Sequence, residues 1–139
     1  MGNTHSMKKI NFEDMLTVVK HPEIYIIINT LSPFEQTCLI VNTTIAEEEE
    51  HIINKYMKEN KSIRIVIYGK NCNDESIHNK YQQLLTLGFY NIFVYVGGMF
   101  EWLLLQDIYG TEIFLTTKKE VDLLKYKSGQ SLHVALIEY

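Results

Sequence analysis

Arginine is almost missing from this chain: among 13 basic residues in 139, Arg64 stands alone. With 17 acidic residues and a net charge of -4, no basic cluster remains that could neutralise a row of phosphates, so nucleic acid is not an expected partner. Cysteine is scarce as well. Cys38 and Cys72 have neither CxxC spacing nor a histidine cluster beside them, which argues against a disulfide framework, a structural zinc site or any other metal centre. Long apolar runs are also absent. The longest, 24–28 and 92–96, are far too short to cross a bilayer, and no signal-peptide pattern opens the chain. Together these absences lead us to expect a cytoplasmic protein.

What is present fits one α/β domain. Hydrophobic residues make up 46% of the chain, enough at this length to build a core without covalent staples. The segment 11–19 begins with Asn11 and places Phe12, Met15, Leu16 and Val19 at helical spacing, predicting a short amphipathic helix stopped by Pro22. Three β-branched runs, 24–28, 63–68 and 91–96, read as strands buried on both faces of a parallel sheet. Ser32-Pro33 ends the first in a turn. An extended piece is expected at 38–41, then a helix capped by Thr43 or Thr44 with Glu47 to Glu50 in its first turn, where the helix dipole favours them.

A helix through Tyr81, Leu84, Leu85 and Leu87 should end at Gly88, and another should run from 99 to 108 before Gly110. Gly97-Gly98 lacks the GxGxxG and Walker patterns, so it reads as a tight strand-to-helix turn, and no cofactor is expected. Trp102 reads as packing, and Cys38 as a small core residue. Residues 100–109 are apolar nearly all round; either the C-terminal tail covers this helix or a protein partner or second copy does. A short helix at 119–126 and an apolar piece at 132–137 complete the pattern. The resulting division is an N-terminal segment 1–8, a domain 9–127 and a tail 128–139.

Two ends of the sequence carry alternatives. Met1-Gly2-Asn3-Thr4-His5-Ser6 fits the N-myristoylation pattern, with Gly2 as the acceptor. Equally, Met7 could be the natural start and the first six residues a remnant of cloning. One acyl chain would give only weak peripheral membrane attachment, with Lys8-Lys9 as a slight second signal.

Chemistry, if any, is expected in the loop after the second long strand. Ile65-Val66-Ile67-Tyr68, a polar loop, a helix ending Leu87-Gly88-Phe89, the strand 92–96, then Gly97-Gly98 with Trp102 four residues on, together resemble the rhodanese family from about residue 9 to 110. The resemblance implies a three-layer α/β fold with a mainly parallel central sheet flanked by helices. It also implies where sulfur transfer would occur: at a cysteine directly after the strand, in a loop whose amides and arginine wrap the thiolate. A thiolate is the nucleophile, and converging N–H groups or positive charge stabilise it and an anionic substrate.

Here that position is Gly69, followed by Lys70, Asn71, Cys72, Asn73, Asp74, Glu75 and Ser76. Cys72 comes three residues late. Asp74 and Glu75 stand where the family supplies glycine and arginine, and negative charge disfavours a nearby thiolate. His78 is at the sixth position after Cys72, and the earlier Asp/Arg landmark is replaced by Asn29 and Leu31. These departures favour a non-catalytic binding or scaffolding domain of rhodanese type. The alternative is a divergent sulfurtransferase using Cys72 as nucleophile, assisted by Lys70 and His78. The oxygen-rich side chains of Asn71, Asn73, Asp74 and Glu75 match no cation-binding spacing and read as a solvated loop.

Overall fold

From residue 8 to residue 109 strand-forming runs alternate with helices. The computed structural model describes residues 7–132. The elements are β1 (Lys8–Ile10), α1 (Phe12–Val19), β2 (Tyr25–Asn29), α2 (Ala46–Glu59), β3 (Arg64–Tyr68), α3 (Ser76–Thr86), β4 (Ile92–Tyr95) and α4 (Gly98–Tyr109). Single 3₁₀ turns occur at Pro33–Glu35 and Leu123–Tyr126. The four strands form one sheet in the order β1-β4-β3-β2, with every pair parallel.

Because side chains on a strand alternate between faces, β2 and β3 feed two cores. Ile27, Val66 and Tyr68 join Met15 and Val18 of α1 and Met99, Trp102 and Leu103 of α4 on one side. Ile26, Ile28, Ile65 and Ile67 meet Ile53 of α2 and Ile77, Tyr81 and Leu84 of α3 on the other. This is the three-layer α/β arrangement expected from the sequence.

Local signals hold at several ends. Asn11 and Asp14 form a reciprocal capping box on α1. At the end of α3, Gly88 has φ +103, which lets its own amide and that of Phe89 bond Leu85 O and Leu84 O at 2.9 and 3.1 Å.

Elsewhere tertiary demands override the local reading. Ile45, not Thr43 or Thr44, is the N-cap of α2, and it caps with no side-chain hydrogen bond. Thr43 is drawn instead to the buried phenol of Tyr68, its Oγ1 lying 2.8 Å from the Tyr68 hydroxyl. That hydroxyl also accepts the Ile40 amide at 3.1 Å. Stranding a buried hydroxyl costs about 1–3 kcal/mol, against roughly 1 kcal/mol for a cap, so the phenol takes the threonine. Asn42, just before it, sits at φ +70 and donates its side-chain amide to Val19 O at 2.7 Å.

The extended piece at 38–41 is reduced to one antiparallel bridge, Ile40 with Thr116. The expected helix 119–126 is only the 3₁₀ turn at its end, where Tyr126 turns into the core. β1, too short and too charged to be read from sequence, exists because β4 offers it a parallel edge. Gly2 and residues 133–137 of the apolar tail lie outside the described residues.

Candidate functional site

The loops after β2, β3 and β4 converge at the carboxyl end of the sheet, where open parallel sheets place their ligand sites. At its centre Gly69 is buried. A Cβ built there would collide with Asp74 Oδ2 and lie 2.8 Å from Thr30 Oγ1, so only glycine leaves room for the carboxylate. Asp74 in turn organises the loop. Its Oδ2 accepts the Lys70 amide at 2.8 Å, and its Oδ1 accepts the Ser76 amide at 3.0 Å and the Ser76 hydroxyl. Ser76 Oγ is also 2.7 Å from Thr30 Oγ1, tying the loop to the end of β2. Converging amide donors that could face an exogenous anion are therefore satisfied by a carboxylate of the chain itself.

The N-terminus of α4 clamps the same loop from the other side. Met99 N and Phe100 N donate to the carbonyls of Gly69 and Lys70, each at 2.9 Å, satisfying helix-terminal amides that have no intrahelical partner. Gly98 makes this approach possible. It has φ +67, and a Cβ on it would lie 2.8 Å from Gly69 O and 3.0 Å from Asn71 N. The Gly97-Gly98 pair is thus a turn that brings a helix end onto a loop, as its sequence suggests.

The remaining loop residues divide into two groups. Lys70 Nζ pairs with Glu35 Oε2 at 3.1 Å, and Asn71 uses its Oδ1 to accept the Asn73 amide at 2.9 Å and its Nδ2 to donate to Tyr126 O at 2.8 Å. Cys72, Asn73, Glu75 and His78 are exposed. Cys72 lines a small hollow of about 140 Å³ with Lys9, Asp74, His78 and Tyr95. The structure brings Cys72 and His78 to this hollow while Glu35 engages Lys70 outside it. Among the described residues, no group of three or more His, Cys, Asp or Glu side chains is placed to hold a metal.

Electrostatics follow burial. Burial works against the Glu35 charge, but hydrogen bonds from Ser32 and the pairing with Lys70 outweigh it and hold the carboxyl below its usual range. Burial pushes the Cys38 thiol up; its Sγ donates to Lys118 O at 3.2 Å. Burial also raises the Tyr68 and Tyr95 phenols, Tyr95 further because its hydroxyl donates to Glu101 Oε1 at 2.6 Å.

At the end of β2, Asn29 accepts the Leu31 amide at 2.9 Å and the Gln36 side-chain amide at 2.7 Å, shaping the loop that presents Glu35. Sequence reasoning missed Thr30, Glu35 and Tyr126, which reach the loop from distant segments and carry no local signal.

A parallel α/β sheet with a glycine-bounded loop at its carboxyl edge defines the class. Residues 39–105 match the family model described as Rhodanese-like domain. Its structure is similar to that of the Alr3790 protein from Anabaena sp., with a TM-score of 0.51 over 78% of this chain and 81% of that one. At 19% identity, that likeness is one of fold. No curated protein matches the chain.

Proposed function

We propose that this rhodanese-like domain is a non-catalytic binding or scaffolding unit. The observation that carries the reading is the Asp74 carboxylate lodged against Gly69. Sulfur transfer of the rhodanese kind needs a thiolate at that position and free amides around it; here the position has no side chain, and an internal anion takes the amides. A second anion would meet negative charge where the chemistry requires positive.

The same reading includes a protein partner or self-association through the apolar residues that α4 leaves exposed, Leu104, Ile108 and Tyr109. It also includes a cytoplasmic setting, with weak membrane attachment if Gly2 is acylated. No helix among the described residues is long and apolar enough to cross a membrane.

One observation favours a second reading: Cys72 is exposed and lines a hollow with Lys9 and His78. As a sulfurtransferase, the Cys72 thiolate would attack the outer sulfur of thiosulfate. The S–S bond would break, sulfite would leave with the electron pair, and a cysteine persulfide would remain. The deciding experiment is incubation with thiosulfate and with a persulfide donor followed by intact-mass spectrometry, with Cys72→Ser and Cys38→Ser as controls. An unchanged mass is expected; one added sulfur lost only in Cys72→Ser would overturn the non-catalytic reading.

A further inference from the structure

After α4 the chain reverses at Gly110, which has φ +114, and returns along the molecule in two differently anchored parts. Residues 114–118 are held firmly. Val41 N donates to Leu115 O at 3.1 Å and Thr117 N to Leu39 O at 2.8 Å. Trp102 Nε1 donates to Leu115 O at 3.1 Å and Gln106 Nε2 to Phe114 O at 2.7 Å.

From residue 119 the anchorage thins. Glu120 bonds within its own segment, to Lys125 Nζ and to the Asp122 amide. Val121 and Leu124 are 80% and 59% exposed. Beneath this stretch is a hollow of about 320 Å³ between Leu103, Gln106 and Asp107 of α4 and Glu120, Val121 and Leu123. Two contacts pin its end: the Asn71 side chain donates to Tyr126 O at 2.8 Å, and the Tyr126 ring is fully buried in the core shared with α4.

Tyr126 fits that place imperfectly. Its hydroxyl is buried and finds no hydrogen-bond partner among the described residues, which penalises the seated state relative to one in which water reaches the phenol. A phenylalanine ring would fill the same volume without that penalty.

We propose that residues 119–127 are a built-in occupant of a peptide groove between α4 and the 69–76 loop. In their place the groove takes a segment of another protein anchored by an apolar aromatic side chain, with an aliphatic residue three positions before it as Leu123 stands to Tyr126. The occupant's chemistry is read from the strap itself: an aromatic ring for the core, an aliphatic side chain against α4, and a main-chain carbonyl for Asn71. The orphaned hydroxyl is the reason the strap can be displaced and the reason the preferred anchor is phenylalanine. This inference rests on the reading of the domain as a binding unit, and it assigns that unit a site and a ligand class.

The test uses the full chain and a fluorescent synthetic peptide spanning residues 118–128 with phenylalanine at the Tyr126 position. Against Tyr126→Ala, whose strap competes poorly, the peptide should bind at least ~10-fold more tightly than against the unaltered chain. It should also bind more tightly than the same peptide with tyrosine. Equal affinity for both proteins, or no binding by a Tyr126→Ala chain that keeps its near-ultraviolet dichroism, overturns the proposal.

A second measurement is independent of that variant's folding. Hydrogen exchange of the Tyr126→Phe chain should slow over residues 119–127 and stay unchanged over 112–118; unaltered exchange in the strap overturns the proposal. Sulfur added to Cys72 would instead refute the non-catalytic reading, so the two failures are distinguishable.

Discussion

Asp74 and Gly69 divide one space between them: the room that a side chain at position 69 would need is filled by Asp74 Oδ2, which accepts the Lys70 amide at 2.8 Å. Neither residue is intelligible without the other. Glycine admits the carboxylate, and the carboxylate satisfies amides that would otherwise be left facing an empty loop. The pair converts a loop suited to holding an external anion into one that holds its own.

A double-mutant cycle tests that relationship. Gly69→Cys should destabilise the protein by about 1–3 kcal/mol through overpacking. Asp74→Ala should also destabilise it, through lost hydrogen bonds. Because the two side chains compete for one volume, the double variant should cost less than the sum by about 1 kcal/mol or more. Urea denaturation of the four proteins measures this, and simple additivity would mean that the two sites do not share space.

Two glycines with positive φ should respond differently to alanine. At Gly98 the new Cβ meets backbone atoms of Gly69 and Asn71 at 2.8 and 3.0 Å, which cannot yield without moving the loop off α4. A loss of roughly 3 kcal/mol or more is expected, combining strain and overpacking. At Gly110, where nothing lies within 4 Å, only the backbone strain remains, about 1–3 kcal/mol. Thermal unfolding of the two variants gives the order, and a larger loss at Gly110 would contradict the clamp.

Acid should weaken the tie between the β2 and β3 loops. The Glu35 carboxyl titrates below its ordinary range in the folded chain, so the folded state binds fewer protons there than the unfolded state. Its contribution is complete above the unfolded value of about 4.3 and is lost as pH falls through the folded value. Lys70 is partly exposed, which keeps the ion pair's share within about 1 kcal/mol. Glu35→Gln should therefore flatten the fall in stability on the acid side of about pH 4.3 and leave the neutral-to-alkaline limb unchanged. An unaltered acid limb would remove Glu35 from the linkage.

The two thiols should be separable by reactivity. Cys72 is exposed and Cys38 buried, with burial raising the Cys38 thiol and further disfavouring its thiolate. One equivalent of an aromatic disulfide reagent should react in the native protein at neutral pH, and the second only in denaturant. Loss of the fast phase in Cys72→Ser confirms the assignment; its persistence would place Cys38 at the surface.

Helices α1 to α4 and strands β2, β3 and β4 were legible in the sequence because their signals are local. Asn11 caps α1, Gly88 terminates α3, and the unbroken aliphatic run of 65–67 makes sense only between two helical layers. Trp102 was rightly read as packing: it is fully buried, edge-on to Tyr95 and Phe114 at 6.0 and 5.1 Å. Thr43 shows where local reading fails. Its spacing to α2 suits a cap, yet the Tyr68 phenol, buried 25 positions later in the sequence, makes a stronger claim on its hydroxyl.

The candidate site belongs mostly to this second kind. The sequence by itself determined that position 69 has no nucleophile and that acids come after it, since identity alone decides both. Only the tertiary structure decided that Asp74 turns inward onto the Lys70 and Ser76 amides, that Glu35 engages Lys70, and that Tyr126 closes over Asn71. Local propensity acts over a few residues, whereas a buried polar group must be satisfied by whichever donor or acceptor the whole fold brings within about 3 Å of it.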